Sequence, residues 1–231
     1  MGNGTNPSKE IVEGIQPVLD RVGEFFHLFD LSFFVAGTMT MGAMAFFFEK
    51  SGQSLAFPFP GWVKVIAFFV VTYSAGLMSF SLGRLINGAL FRKGIFPKQF
   101  KASLMDHQFM GPDEGSYLVD DRRLWGLYVR MWQDLAFTGP KSYPFKHLSR
   151  YWVMAATYDG LGFSFLVWAM VSFLTACGTI VPKAVAIKWG VGGGMIFLAL
   201  AVGALMQGAN YYKYQIEDLV ASAASAKALA T

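Results

Sequence analysis

The fold is decided by residues 160–181, which read GLGFSFLVWAMVSFLTACGTIV and contain no charged side chain. A helix of this length is about 33 Å long, which matches the hydrocarbon core of a bilayer. Three further apolar stretches have the same character, and they run from Leu31 to Phe48, from Val65 to Leu82 and from Trp189 to Met206. The sequence therefore predicts an all-α integral membrane protein with four transmembrane helices.

The composition of the whole chain agrees with lipid as the surrounding solvent. Of its 231 residues, 54% are hydrophobic and only 15% are charged, whereas soluble domains carry about 25% charged residues. The charges that remain are clustered between the apolar stretches. The single cysteine, Cys177, lies inside an apolar stretch, and we expect it to be a small buried hydrophobic residue there.

The distribution of Lys and Arg predicts an orientation in the membrane. Eleven of the nineteen Lys and Arg residues lie between the second and third apolar stretches. Positively charged connections stay in the cytoplasm, so this central segment is predicted to be cytoplasmic. With four transmembrane helices both termini then lie on the same side, and we expect the bacterial inner (cytoplasmic) membrane.

This topology divides the chain into five segments. Residues 1–27 form a cytoplasmic N-terminal segment, and residues 28–90 form the first transmembrane helix pair. Residues 91–150 form a basic cytoplasmic segment with an interfacial amphipathic helix. Residues 151–213 form the second transmembrane helix pair, and residues 214–231 form a cytoplasmic C-terminal tail, which continues the fourth helix before it frays.

The basic segment is predicted to contain two helices, from Pro97 to about Phe109 and from Ser116 to about Phe137. In the second helix, aromatic and apolar residues recur at helical spacing beside arginines. We expect this helix to lie on the membrane surface or to pack against the ends of the spans. The candidate cytoplasmic interaction surface comprises Arg122, Arg123, Trp125, Tyr128, Arg130 and Trp132. Nucleic acid is disfavoured as a partner, because aspartates interrupt the basic residues.

Polar residues at the predicted inner ends of the spans form a second candidate site, because such residues are costly in a membrane. The cluster comprises Asp30, Arg84, Asn87, Asp159, Gln207 and Asn210. We expect Arg84 to bridge Asp30 or Asp159. The cluster is either a clamp that holds the helices together or a polar collar at the inner mouth of a pathway, and the sequence leaves both interpretations open.

Small residues four apart predict close helix contacts. Ala75, Ser79 and Gly83 form one such series on the second span, and Ala199 and Gly203 form another on the fourth. These helix-packing faces serve either the bundle itself or contacts between subunits.

We find no catalytic constellation, and we expect no cofactor and no metal. None of the histidines, His27, His107 and His147, lies mid-span, where a haem-binding bundle would hold its iron. We therefore expect a non-enzymatic subunit that oligomerises in the membrane, contacts membrane lipids and docks a partner protein or the inner leaflet as part of a larger complex. The alternatives are a homo-oligomeric ion channel and, with weaker support, a lipid-modifying enzyme.

Overall fold

The computed structural model describes residues 28–52, 60–107, 109, 121–137, 143–177 and 183–230. Within these ranges the chain is all-helical and has no strand. The six helices in these ranges are α1 (Leu28–Lys50), α2 (Gly61–Leu90), α3 (Ile95–Asp106), α4 (Asp121–Phe137), α5 (Tyr143–Ala176) and α6 (Lys183–Ala230). The predicted N-terminal segment, the predicted helix start at Ser116 and the side chain of Asp30 lie outside the described residues.

Four of the helices, α1, α2, α5 and α6, are long and apolar enough to cross a membrane. This confirms the all-helical class and the number of candidate spans predicted from the sequence. At most about a third of each apolar window is buried inside the chain, and in α2 the share is 17%. Met78 and Leu85 on α2 are 65% and 70% exposed. An apolar surface of this extent is typical of contact with lipid or with another chain.

Helix α5 occupies the centre of the bundle, because it packs extensively against all three other long helices, whereas α2 meets α6 only over a short stretch. Its longest interface is with α6, while α1 and α2 pack against its other side and against each other. The side chains that join α1, α2 and α5 therefore converge on α5.

Glycines allow α2 to approach its neighbours at backbone distance. A Cβ atom added at Gly76 would overlap the carbonyl oxygen of Phe33 in α1, and one added at Gly83 would overlap the carbonyl oxygen of Asp159 in α5. Ser79 lies between these two glycines and is fully buried. The predicted packing series on the second span thus faces the interior of the bundle.

Three hydroxyl groups connect the helices in the middle of the bundle. The Thr40 hydroxyl of α1 lies 2.8 Å from that of Ser79 in α2 and 2.9 Å from that of Ser164 in α5. Ser164 also donates to the carbonyl oxygen of Ala36 at 2.9 Å. The indole nitrogen of Trp168 donates to the carbonyl oxygen of Met39 at 2.8 Å. These bonds satisfy polar groups that would otherwise face a low-dielectric interior.

The third long helix starts earlier than the hydropathy pattern predicts. It begins at Tyr143 rather than Gly160 and ends at Ala176, before the predicted end at Val181. Asp159, which was expected to open a span, therefore lies in the middle of α5. The prediction that Cys177 is buried is wrong, because Cys177 follows the last residue of α5 and is exposed.

Helix α6 is too long to serve as a transmembrane helix alone. Its 48 residues correspond to about 72 Å, more than twice the thickness of a bilayer core of about 30 Å. The helix continues without a break past residue 213, where the sequence suggested a boundary between span and tail. Its C-terminal part contributes Ile216, Leu219 and Val220, all fully buried, to a second hydrophobic core.

This second core belongs to a unit that we call the cap. The cap consists of α3, α4, the start of α5 and the part of α6 from Tyr211 onward. Its buried residues outside α6 are Phe100, Leu104, Leu124, Tyr128, Met131, Leu135 and Leu148. Polar contacts support it, since Gln99 of α3 donates to Glu217 at 2.5 Å and His147 pairs with Asp218 at 3.2 Å. The segment predicted to be a tail is therefore part of a folded core.

Two helices form in the described part of the basic segment, and α4 ends at Phe137 as predicted. Helix α3 begins at Ile95, after Gly94, whose φ of 78° lies in the left-handed region that glycine adopts without strain. Helix α4 packs its apolar face into the cap core through Leu124, Tyr128 and Met131.

Candidate functional site

The first candidate site is a buried ion pair at the end of the bundle that adjoins the cap. Arg92 follows the C-terminus of α2, and its Nη2 donates to both carboxylate oxygens of Asp159, at 2.9 and 2.8 Å. The same nitrogen lies 3.2 Å from the carbonyl oxygen of Gly208 in α6. The side chains of Arg92 and Asp159 are 8% and 0% exposed. The pair therefore joins three helices in a site closed to solvent.

Asn87 completes this site from the last turns of α2. Its Nδ2 donates to Oδ1 of Asp159 at 2.5 Å and to the carbonyl oxygen of Leu205 in α6 at 2.9 Å. Gly208 is required beside them, because an added Cβ would lie 2.8 Å from Oδ1 of Asp159 and 3.0 Å from Nδ2 of Asn87. We call Asn87, Arg92, Asp159 and Gly208 the clamp.

The opposite charges of Arg92 and Asp159 in the clamp compensate each other. Burial lowers the pKa of the Arg92 guanidinium, and the Asp159 carboxylate opposes that shift. Arg92 also lies over the ring of Tyr212, with 5.0 Å from its guanidinium carbon to the ring centroid. A buried charge without its partner is strongly destabilising, so each charge of the pair offsets the free-energy cost of burying the other.

The clamp corrects the predicted partner of Asp159. Arg84 was expected to bridge Asp30 or Asp159. The ion pair with Asp159 is instead made by Arg92, and the side chain of Asp30 lies outside the described residues. Arg84 is exposed and lies over the ring of Phe80, 5.6 Å from its centroid. Arg92 lies ten residues beyond the second apolar stretch, whereas Arg84 lies two residues beyond it, so spacing along the chain favoured Arg84. The turn after α2 brings Arg92 back over the helix end.

Of the predicted polar cluster, two residues belong to the clamp and two lie beside it. Asn87 and Asp159 are brought together as expected. Gln207 and Asn210 are half-buried on either side of Gly208, and the hydrogen bonds to the Asp159 side chain come from Asn87 and Arg92 instead. The Asp159 carboxylate is fully buried, so within one chain it does not line an open mouth.

A second candidate site is a cavity of about 430 Å³ between the bundle and the cap. It lies between the end of α2, helix α4, the start of α5 and the middle of α6. The residues that define its chemistry are Arg84, Trp125, Tyr128, Trp132, Trp152 and Gln215. Burial raises the pKa of Tyr128 to about 12, which keeps its hydroxyl protonated at neutral pH.

The predicted interaction surface on α4 is divided between two faces. Arg122, Arg123 and Arg130 are exposed, and Trp125 is 52% exposed. Tyr128 is 7% exposed and belongs to the cap core, and Trp132 packs against that core. The structure thus removes Tyr128 from the exposed surface, because its position on the helix is that of the apolar stripe.

The second small-residue series differs from the first in its surroundings. Ala199 is exposed, and a Cβ added at Gly203 would meet nothing within 4 Å among the described residues. The buried face of α6 instead passes through Ala201, Ala204 and Leu205. The series Ala199 and Gly203 therefore faces away from the bundle.

Among the described residues, no three His, Cys, Asp or Glu side chains are grouped so that they could hold a metal ion. His107 is exposed at the end of α3, and His147 contacts Asp218 and the ring of Tyr151. His27 lies outside the described residues.

Fold and sites define the chain as an all-helical protein with four helices long and apolar enough to span a membrane, and with a folded cap at one end of the bundle. Comparison with protein-family models, with curated proteins and with solved structures found no match.

Proposed function

We propose that the chain is a non-enzymatic multi-pass membrane subunit that assembles with further copies and docks a partner protein through the exposed face of α4. The positive-inside rule places the cap in the cytoplasm, together with both termini, and we assign the chain to the bacterial inner membrane. The observation that carries the proposal is the division of α4 into a buried apolar face and an exposed basic face.

That division favours a protein partner over the inner leaflet. An amphipathic helix that binds a bilayer surface inserts its apolar face among the lipids. In α4 this face is already occupied, because Leu124, Met131 and Leu135 are at most 5% exposed inside the cap core. The opposite face presents arginines around Trp125, and Arg and Trp are the residue types that most often dominate protein interfaces. An acidic protein surface complements this face.

The docking proposal is tested by charge reversal on α4. The chain carries a C-terminal tag and is extracted from its native membrane in mild detergent, and the complex is weighed by native mass spectrometry. Arg122→Glu with Arg123→Glu is expected to remove a stoichiometric partner from the complex. The matched control is Lys93→Glu with Lys98→Glu, which reverses two exposed charges beside and on α3. A partner that is retained in the arginine variant, or lost equally in both variants, would contradict docking through α4.

Assembly with further copies is supported by the outward small-residue series on α6. Small residues four apart let two transmembrane helices approach closely. We expect Ala199→Leu with Gly203→Leu to shift the native mass towards the single chain. Val202→Leu, at a neighbouring exposed position of α6, is the control and should leave the mass distribution unchanged. An unchanged mass in the double variant would reject this series as the subunit contact.

The alternative of a homo-oligomeric ion channel has less support. A conducting collar needs side chains that face water, whereas the clamp is closed and internally paired. A pore would then have to run between subunits and along apolar surfaces.

A further inference from the structure

The cavity between the bundle and the cap adjoins both the clamp and the outer face of α4, since Tyr212, which lies under Arg92, and Trp125 are among its lining residues. Its volume of about 430 Å³ falls within the range of small-molecule sites. Three tryptophans line it, together with one exposed cation, Arg84, and one buried amide, Gln215. This combination of apolar walls with a few convergent polar groups distinguishes it from a packing defect.

The cavity lies at the depth of a membrane interface if the four long helices span a bilayer. Arg84 is six residues before the end of α2, which corresponds to about 9 Å of helix. Trp152 is five residues after the start of the third candidate span at His147. Trp side chains are enriched at headgroup depth, and Arg side chains near helix ends extend towards the headgroups.

Gln215 supplies evidence that the cavity takes a polar occupant. Its side chain is 3% exposed, and its Nε2 donates to the Tyr128 hydroxyl at 3.3 Å. Its Oε1 is buried and has no hydrogen-bond partner among the described residues. If the amide is turned over, Nε2 is unpaired instead. A buried polar atom without a partner is costly, so an occupant that bonds this amide would be stabilised.

The charge of the cavity favours an anion. Arg84 is its charged residue, and its positive field reaches Tyr128. The nearby Asp159 is paired with Arg92, and within the described ranges no carboxylate forms an ion pair with Arg84, so its charge is open to an occupant. A guanidinium binds phosphate through charge-assisted hydrogen bonds. Beside Arg84 on α2, Leu85 is 70% exposed, which offers an apolar track that acyl chains could follow.

We propose that this cavity binds the headgroup of an anionic phospholipid, with Arg84 on the phosphate and the Gln215 amide on a headgroup hydroxyl. The three tryptophans enclose the glycerol region, and the acyl chains lie along the exposed face of α2. This inference does not rest on partner docking, because Arg84 and Gln215, which bind the headgroup, lie on α2 and α6, whereas the charges reversed in the docking test lie on α4.

The test measures lipid binding to the purified, delipidated full chain by native mass spectrometry. The chain is titrated in mild detergent with phosphatidylglycerol, which carries headgroup hydroxyls, and with phosphatidylcholine as a zwitterionic comparison. We expect one tightly bound phosphatidylglycerol per chain. Arg84→Gln should weaken its binding at least about tenfold, the loss expected for one hydrogen bond to a charged group. Arg150→Gln removes an exposed charge near the start of α5 and should bind like the unaltered chain.

Two further variants separate binding from folding. Arg84→Lys retains the positive charge and is expected to retain most of the affinity. Gln215→Leu is expected to abolish the preference for phosphatidylglycerol over phosphatidic acid, which lacks the headgroup hydroxyls. Far-UV circular dichroism checks that each variant remains helical.

Two outcomes would overturn the assignment. Equal affinity of Arg84→Gln and the unaltered chain for phosphatidylglycerol would remove the cavity as the binding site. Glycerol 3-phosphate, titrated as a soluble source of the same phosphate chemistry, is expected to bind far more weakly than the lipid. Binding of glycerol 3-phosphate without binding of phosphatidylglycerol would show that the site takes a soluble phosphate ester and not a lipid.

Discussion

Removing one member of the Arg92–Asp159 pair should destabilise the protein far more than removing both. Arg92→Met leaves the Asp159 carboxylate, which is 0% exposed, with one hydrogen bond from Asn87. Breaking a buried pair in this way costs about 3–5 kcal/mol. Asp159→Leu strands a guanidinium that is 8% exposed, and a similar cost of about 3–5 kcal/mol is expected.

The double variant Arg92→Met with Asp159→Leu buries no unpaired charge. Its remaining penalty is the hydrogen bond that Asn87 loses, since Asn87 retains its bond to the carbonyl oxygen of Leu205. This loss is about 1–3 kcal/mol. The two single costs sum to roughly 6–10 kcal/mol, so the coupling energy between the two positions should be at least about 3 kcal/mol.

The two single variants and the double variant form a double-mutant cycle with the unaltered chain. The free energy of unfolding of each purified variant is measured by titration with sodium dodecyl sulfate in mixed micelles, with helix content followed by circular dichroism. Arg150→Met removes an exposed arginine at the start of α5 and should cost at most about 0.5 kcal/mol. Additive single costs, with the double variant as unstable as their sum, would refute the clamp. An Arg92→Met variant as stable as Arg150→Met would refute it as well.

Three further predictions concern other features of the fold. Gly83→Ala should prevent or severely weaken folding, because its Cβ would overlap the α5 backbone. Its control, Gly88→Ala in the same helix, meets nothing within 4 Å among the described residues. A thermal unfolding comparison should find this control neutral or stabilised by about 0.5–1 kcal/mol. Tyr128 ionises near pH 12 in the folded chain but near pH 10 when unfolded, so stability should fall as pH rises from 10 to 12. Tyr128→Phe should flatten that loss, measured by unfolding at each pH, and an equally steep loss in the variant would exclude Tyr128 as its source. Thr40→Val removes the hydroxyl that contacts two other helices and should lower the free energy of unfolding by about 0.6–1.7 kcal/mol. Thr38→Val, at an exposed position, should lower it less. Equal losses in the same detergent titration would contradict a stabilising role for the hydroxyl cluster.

The ion pair between Arg92 and Asp159 could not be predicted from the sequence. Arg92 is ten residues beyond the second apolar stretch, which ends at Leu82, and the positive-inside rule assigns such a charge to a loop. Its pairing with Asp159 depends on a turn after α2 and on the depth of Asp159 within α5. Neither the turn direction nor the helix register is encoded in hydropathy, so Arg84, which lies two residues beyond the apolar stretch, was the better candidate on spacing alone.

The polar residues inside the spans carried a signal that spacing did not resolve. Thr40, Ser79 and Ser164 each lie in an apolar stretch, and only Ser79 was singled out, as a small packing residue. Their convergence requires that three helices share one register. Sequence periodicity defines faces on single helices, and it does not define which residues of different helices lie at the same height.

By itself, the sequence determined that this is an all-helical chain with four helices suited to a membrane, because length and hydropathy are properties of each segment alone. It also located the start of α3 to within two residues and the end of α4 at Phe137, since the apolar spacing of a helix is a local property. Only the tertiary structure decided that α4 buries its apolar face in a cap, that the C-terminal part of α6 belongs to that core, and that Arg92 pairs with Asp159. These features are contacts between segments far apart in the chain, and their energies arise from packing and charge compensation that exist only once the helices have assembled.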